Sequence, residues 1–124
     1  MNMNHTRLKR VVAGACLLST FALTGCAGPK PLYEWNGYQT QVYNYLKPQS
    51  SSAEEQILAL EKGVQTTAAQ GRKLPPGYMA HLGLLYLDTG RTDQAVQAWN
   101  QEKTMFPEST QYIDFLLNNM KKRS

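Results

Sequence analysis

The sequence predicts an all-α fold: a short array of about five helices that follows a cleaved leader. Three observations carry this. Beyond residue 32, apolar residues recur at steps of three and four, the spacing of one helix face. Gly and Pro punctuate that periodicity at Pro48, Gly71, Pro75, Pro76, Gly90 and Pro107, where helices should stop or restart. Before residue 26 the pattern is different, a basic stretch and then an apolar one, which is the layout of a leader rather than of a domain.

The leader comes first. Residues 1–10 are polar and basic, and 11–23 are nearly all apolar or small. That run falls short of the ~20 residues a membrane-spanning helix needs. It ends in Leu23-Thr24-Gly25-Cys26. The tetrapeptide resembles the lipobox of bacterial lipoproteins, whose cysteine becomes the mature N-terminus. The resemblance implies a covalent diacylglycerol and an N-acyl chain on Cys26, with no other cofactor. A signal peptide would then occupy 1–25, a lipid-anchored tether 26–32 and the helical domain 33–124. The rival readings are a cleaved soluble protein and a buried free cysteine. Ala27 follows the cysteine, where an Asp would imply inner-membrane retention, so the resemblance implies the periplasmic face of the outer membrane. Cys16 lies in the leader, which leaves Cys26 without a disulfide partner.

Charge narrows the partners. The formal net charge is +4, but Arg7, Lys9 and Arg10 belong to the leader. From Cys26 onward ten Lys/Arg face nine Asp/Glu, so the mature charge is 10 − 9 = +1. Three of those ten are Lys121, Lys122 and Arg123 at the C-terminus, so a nucleic-acid surface is not expected. At 124 residues the chain holds one small domain at most.

The helices follow in order. Trp35, Tyr38, Val42 and Tyr45 or Leu46 form one stripe, which predicts a helix over 33–47 ended by Pro48. Ser52-Ala53-Glu54-Glu55 fits a capping box and opens a second helix to about residue 70, with Gly71 as its C-cap glycine. Gly63 should weaken this helix slightly. The connector is Arg72-Lys73-Leu74-Pro75-Pro76. Asp88-Thr89-Gly90 stops the third helix, and Thr92 is the expected N-cap of the fourth. Ser109 caps the last, over 110–121, with Tyr112, Ile113, Leu116 and Leu117 apolar.

The third and fourth helices carry the most specific pattern, at 76–109. Met79, Leu82, Gly83, Tyr86, Ala95, Trp99 and Pro107 fall in one register. This resembles a tetratricopeptide repeat, a ~34-residue helix–turn–helix unit with the signature W-x2-L-G-x2-Y, A-x3-F, P. Met79 stands where Trp is usual. Gly83 and Ala95 should mark the close approach of two helices, with Leu82, Tyr86 and Trp99 around it. Glu102 departs from the pattern, since the family prefers a small residue there. A carboxylate facing a neighbouring helix is costly, so Glu102 is expected to tilt outward or the next helix to pack loosely. The pair at 33–70 looks like a degenerate first repeat, with Gln39 where a small residue belongs. By the same resemblance, the first helices line a concave groove, and Ala80, Leu84, Leu87 and Asp88 would contact a partner. Leu84 and Leu87 would otherwise be covered by the first hairpin.

Catalytic constellations are missing from the sequence. His81 is the one histidine after the leader and is expected to be a packed or surface residue. Adjacent Glu54 and Glu55 point in different directions, and no phosphate loop, nucleophile elbow or CxxC is present. No enzyme activity, metal or small-molecule substrate is expected. The lipobox, the Pro-Leu-Tyr-Glu-Trp-Asn-Gly-Tyr stretch at 31–38 and the repeat together resemble a family of small proteobacterial lipoproteins associated with CsgG-like lipoproteins. That resemblance implies a scaffold or accessory subunit of an envelope assembly. Alternatives are a pilotin or secretin-assembly factor and a regulator of a cell-wall synthase.

Overall fold

The computed structural model describes residues 28–47 and 51–123. The leader and Cys26 lie outside the described residues. The folded unit starts at Pro31. Its five α-helices are α1 (Tyr38–Leu46), α2 (Ala53–Ala69), α3 (Tyr78–Asp88), α4 (Thr92–Met105) and α5 (Thr110–Arg123). A 3-10 turn, Pro107–Ser109, joins the last two, and no strand occurs among the described residues. Consecutive helices are neighbours, with α3 and α4 the most closely packed pair.

Local chemistry sets the boundaries. The Ser52 hydroxyl accepts from Glu55 N–H at 3.2 Å, and the Glu55 carboxylate accepts from Ser52 N–H at 3.0 Å, so the expected capping box is present. Helices α2 and α3 end in the same way. Gly71 and Gly90 take left-handed φ values of 61° and 77°. The amides that follow them, Arg72 and Arg91, donate back to the Thr67 and Tyr86 carbonyls. This is the six-to-one bond of a Schellman ending, which satisfies carbonyls the helix leaves open. Arg91, not Thr92, occupies the N-cap of α4, and no side chain caps it.

The first helix is shorter than its apolar stripe suggests. The periodicity predicts a start near residue 33, whereas α1 starts at Tyr38. Asn36 and Gly37 adopt φ values of 39° and 75°, which breaks the helical path. Residues 31–36 instead form a strap on the connector and α2. Glu34 N–H donates to the Lys73 carbonyl at 2.8 Å, and Arg72 donates to the Pro31 carbonyl at 2.7 Å. The Asn36 amide donates to Thr67 Oγ1 at 2.6 Å and to the Gly63 carbonyl at 3.2 Å. These contacts supply more partners than an extra turn of exposed helix would.

The core is centred on α3. Tyr78, Met79, Leu82, Leu85 and Tyr86 are buried with Ile57 and Leu60 of α2, Ala95 and Trp99 of α4 and Ile113 of α5. Each large side chain so buried contributes about 1.5–3 kcal/mol. Gly83 lies where the close approach was expected. A Cβ placed there would run into the Trp99 indole. That indole is held in place, since its Nε1–H donates to the Ala80 carbonyl at 3.0 Å.

Gly63 has a role that helix propensity hides. A Cβ at Gly63 would strike the Tyr78 hydroxyl. That hydroxyl donates to the Leu60 carbonyl at 2.9 Å, and Tyr78 is fully buried. Burial pushes the Tyr78 phenol up to about 12.

Glu102 corrects the sequence reading. It does not tilt outward, and its exposure is 0%. Helix α3 is preceded by Pro76 and the N-cap Gly77, so no side chain of its own caps it. The Glu102 carboxylate does so from α4. Oε1 accepts from Gly77 N–H at 2.6 Å, and Oε2 accepts from Met79 and Ala80 N–H at 3.2 and 3.3 Å. The carboxylate also meets the positive end of the α3 dipole, which favours it there. A buried charge is tolerated when its oxygens are this well supplied with donors.

Candidate functional site

Two surfaces could hold a partner or ligand. The first is a cleft of about 550 Å3 between α2 and α4, with Tyr33, Val64, Leu74, Met105 and Phe106 among its walls. Of the two cations that line it, Arg72 and Lys73, Arg72 is already engaged, by the Pro31 carbonyl and by Glu34 at 3.5 Å. Tyr33 meets the Phe106 ring edge-on, 6.2 Å between centroids. The strap therefore uses part of the cleft for its own packing.

The second surface is built by α1 and α3, with Tyr112 of α5 in reach. Stripe periodicity places Tyr38 and Tyr45 on one side of α1, seven residues apart. The same seven-residue step relates His81 to Asp88 on α3. The two pairs meet. Tyr38 and Tyr45 present their rings to His81 edge-on, at 5.9 and 5.2 Å. Tyr38 also packs on Tyr78 at 5.2 Å and stacks with Trp35 at 6.2 Å. The Tyr45 hydroxyl donates to the Asp88 carboxylate. Tyr112 lies close enough to interact electrostatically with both the Tyr38 and the Tyr45 hydroxyl.

Burial favours the neutral form of Tyr38, Tyr45 and His81 alike. Burial is the main cause that raises the Tyr38 and Tyr45 phenols, and nearby Glu102 and Asp88 respectively add to it. Burial pulls the His81 imidazole below its ordinary value, against smaller opposing effects of a Gln41 backbone hydrogen bond and Asp88. His81 is 7% exposed and its Nε2 has no partner.

The residues singled out from the sequence divide between core and surface. Met79, Leu82, Tyr86, Ala95 and Trp99 are core, and Pro107 is exposed at the 3-10 turn. Ala80 is buried too, with its N–H given to Glu102 and its carbonyl to Trp99. It can offer a partner nothing. Leu84 and Leu87 are half-buried and pack against the core, and Asp88 is exposed. Sequence reasoning passed over Tyr45 and Tyr112 as parts of one surface. The seven-residue echo between Tyr38–Tyr45 and His81–Asp88 was the available signal. Tyr86, for its part, donates to Glu61 Oε1 at 2.7 Å, which ties α3 to α2.

Among the described residues, no group of three His, Cys, Asp or Glu could hold a metal ion, and no helix is long and apolar enough to cross a membrane. The fold and this surface define a small all-helical domain with an aromatic, acceptor-rich face. Residues 32–116 match the family described as Domain of unknown function (DUF4810), and the chain belongs to that family. No curated protein and no solved structure matches it.

Proposed function

We propose that this protein is a lipid-anchored periplasmic scaffold that docks a partner protein of the cell envelope on the face formed by α1, α3 and α5. The α3–α4 hairpin is read as one tetratricopeptide unit, and Cys26 as the lipidated residue, on the outer membrane. The observation that carries the docking role is the aromatic face itself. Tyr45 and Tyr112 remain 37% and 50% exposed, and Leu84, on the same helix as Asp88, is only half-buried. Exposed aromatic surface next to a rigid element is typical of binding sites. No catalytic role is assigned, because the one buried histidine lacks a neighbouring nucleophile and is walled in by tyrosine rings.

The partner is expected to be an envelope lipoprotein of the CsgG-like kind. The test is a cross-linked pull-down from solubilised membranes, read by mass spectrometry, with Leu84→Lys as the variant. A CsgG-like partner lost in Leu84→Lys, with circular dichroism still native, supports the reading. Recovery of a secretin or a penicillin-binding protein instead would reassign the protein to secretin assembly or cell-wall synthesis. A native-folding variant that recovers the partner undiminished eliminates this face.

A further inference from the structure

We infer that the α1–α3 face accepts a basic segment of its partner, with an arginine or lysine side chain seated at Asp88 between Tyr45 and Tyr112. This rests on the docking reading above and adds the chemical class of what docks.

The unused valences of the face are acceptors. Asp88 is exposed, and the only bond described for it is the one from the Tyr45 hydroxyl. The rings of Tyr45 and Tyr112 are partly exposed and can meet a cation. A guanidinium or ammonium supplies what the carboxylate and the rings lack, since it is a donor, a cation and a partner for aromatic faces. Arginine suits the site better, because its planar fork can hydrogen-bond and stack at once.

The placement of Asp88 points the same way. It is the last residue of α3, where a carboxylate adds to the negative end of the helix dipole. A helix C-terminus ordinarily favours a cation. Neither α1 nor α3 carries a Lys or Arg to offset the charge. Lys47, just past α1, holds its ammonium 4.7 Å from the Tyr43 ring centre. Tyr43 is turned roughly 200° round the helix from Tyr45, so that cation is directed elsewhere. None of the three ion pairs described, Arg72–Glu34, Arg91–Glu54 and Lys103–Asp114, includes Asp88. The face thus holds an uncompensated carboxylate among rings, and an acidic segment would be repelled by it.

The experiment uses the full chain in detergent and short fluorescein-labelled Gly/Ser peptides that carry arginine, glutamine or glutamate. Fluorescence polarisation should show binding of the arginine peptide alone. Added salt should weaken it, as expected for a partly exposed charge pair. Asp88→Asn should weaken it about fivefold, the scale of one exposed cation contact. Tyr112→Ala should weaken it as well, while Glu108→Gln, in the α2–α4 cleft, should leave it unchanged. Equal or tighter binding of the glutamate peptide, no binding of the arginine peptide, or binding indifferent to Asp88→Asn would each overturn the proposal. A photo-reactive phenylalanine in place of Tyr112, and separately of Met105, tells that failure from a failure of the docking face. Membrane-partner capture at 112 without arginine-peptide binding removes the cation site and keeps the face. Capture at 105 alone removes both.

Discussion

Glu102 is the residue whose environment is hardest to anticipate and whose role is clearest once seen. It holds three backbone N–H groups at the start of α3, a helix whose own first residues cannot cap it. Glu102→Ala leaves those donors unpaired in the core. The loss should be about 2 kcal/mol or more, at the upper end of cap deletions. Glu102→Gln retains one acceptor oxygen and should lose less. Chemical denaturation of the full chain in detergent reads both, and equal stability of wild type and Glu102→Ala would remove the capping role. The absence of Ser, Thr, Asp or Asn before Tyr78 was legible in the sequence. That an acid 25 positions later would fill the gap was not, because the contact is tertiary. His81 gives a second test at this scale. Its folded-state value is lowered from 6.5, so the unfolded chain takes up the proton first on acidification. The stabilising contribution is full above that value and is lost as pH falls below it. The melting temperature should therefore drop as the pH falls through about 6.5 and below, and His81→Gln should flatten part of that slope. Asp88, Tyr38 and Tyr45 are the titratable groups that face the ring. An unchanged slope in the variant would mean that its burial does not govern the titration.

Among the elements, α2 shows where local rules and packing disagree. Helix propensity favours Gly63→Ala by roughly 1 kcal/mol. Packing opposes it, because the new methyl group would displace the Tyr78 hydroxyl from the Leu60 carbonyl and press on Asn36. Packing should win, with Gly63→Ala destabilised by about 1–3 kcal/mol, the usual cost of overfilling a core. A variant more stable than wild type would show that Tyr78 and the strap can shift without cost. The capping box at Ser52 and the glycine endings at Gly71 and Gly90 were legible because each is a few residues long. The start of α1 was not. Trp35 fits the apolar stripe, but it lies on the strap, 42% exposed and stacked on Tyr38. Periodicity cannot register that Asn36 finds better partners on α2 than in a helix.

At the scale of the whole molecule, the five helices form one folded unit from Pro31 onward, with the anchor residue proposed only a few positions before it. Pro31 is the fifth residue after Cys26, at most ~18 Å of extended chain away. A lipid on Cys26 would therefore hold the domain near its membrane and restrict partners to proteins of that surface. The all-α class and the Gly83–Trp99 contact were readable from spacing, since each follows from side-chain size at fixed helical intervals. The aromatic face was only half readable. Leu84, Leu87 and Asp88 belong to a recognisable pattern, whereas Tyr45 and Tyr112 join it through tertiary contact. Anchoring decides whether the docking proposal concerns the envelope at all. The most direct measurement is the intact mass of the protein extracted from separated inner and outer membranes, compared with Cys26→Ser and Cys16→Ser. The proposed scaffold should appear in the outer membrane with a mass that begins at Cys26 and includes its acyl chains. Cys26→Ser should remain an unprocessed, unlipidated precursor, and Cys16→Ser should match the wild type. A mature form without lipid, or a lipidated Cys26→Ser product, would contradict the account.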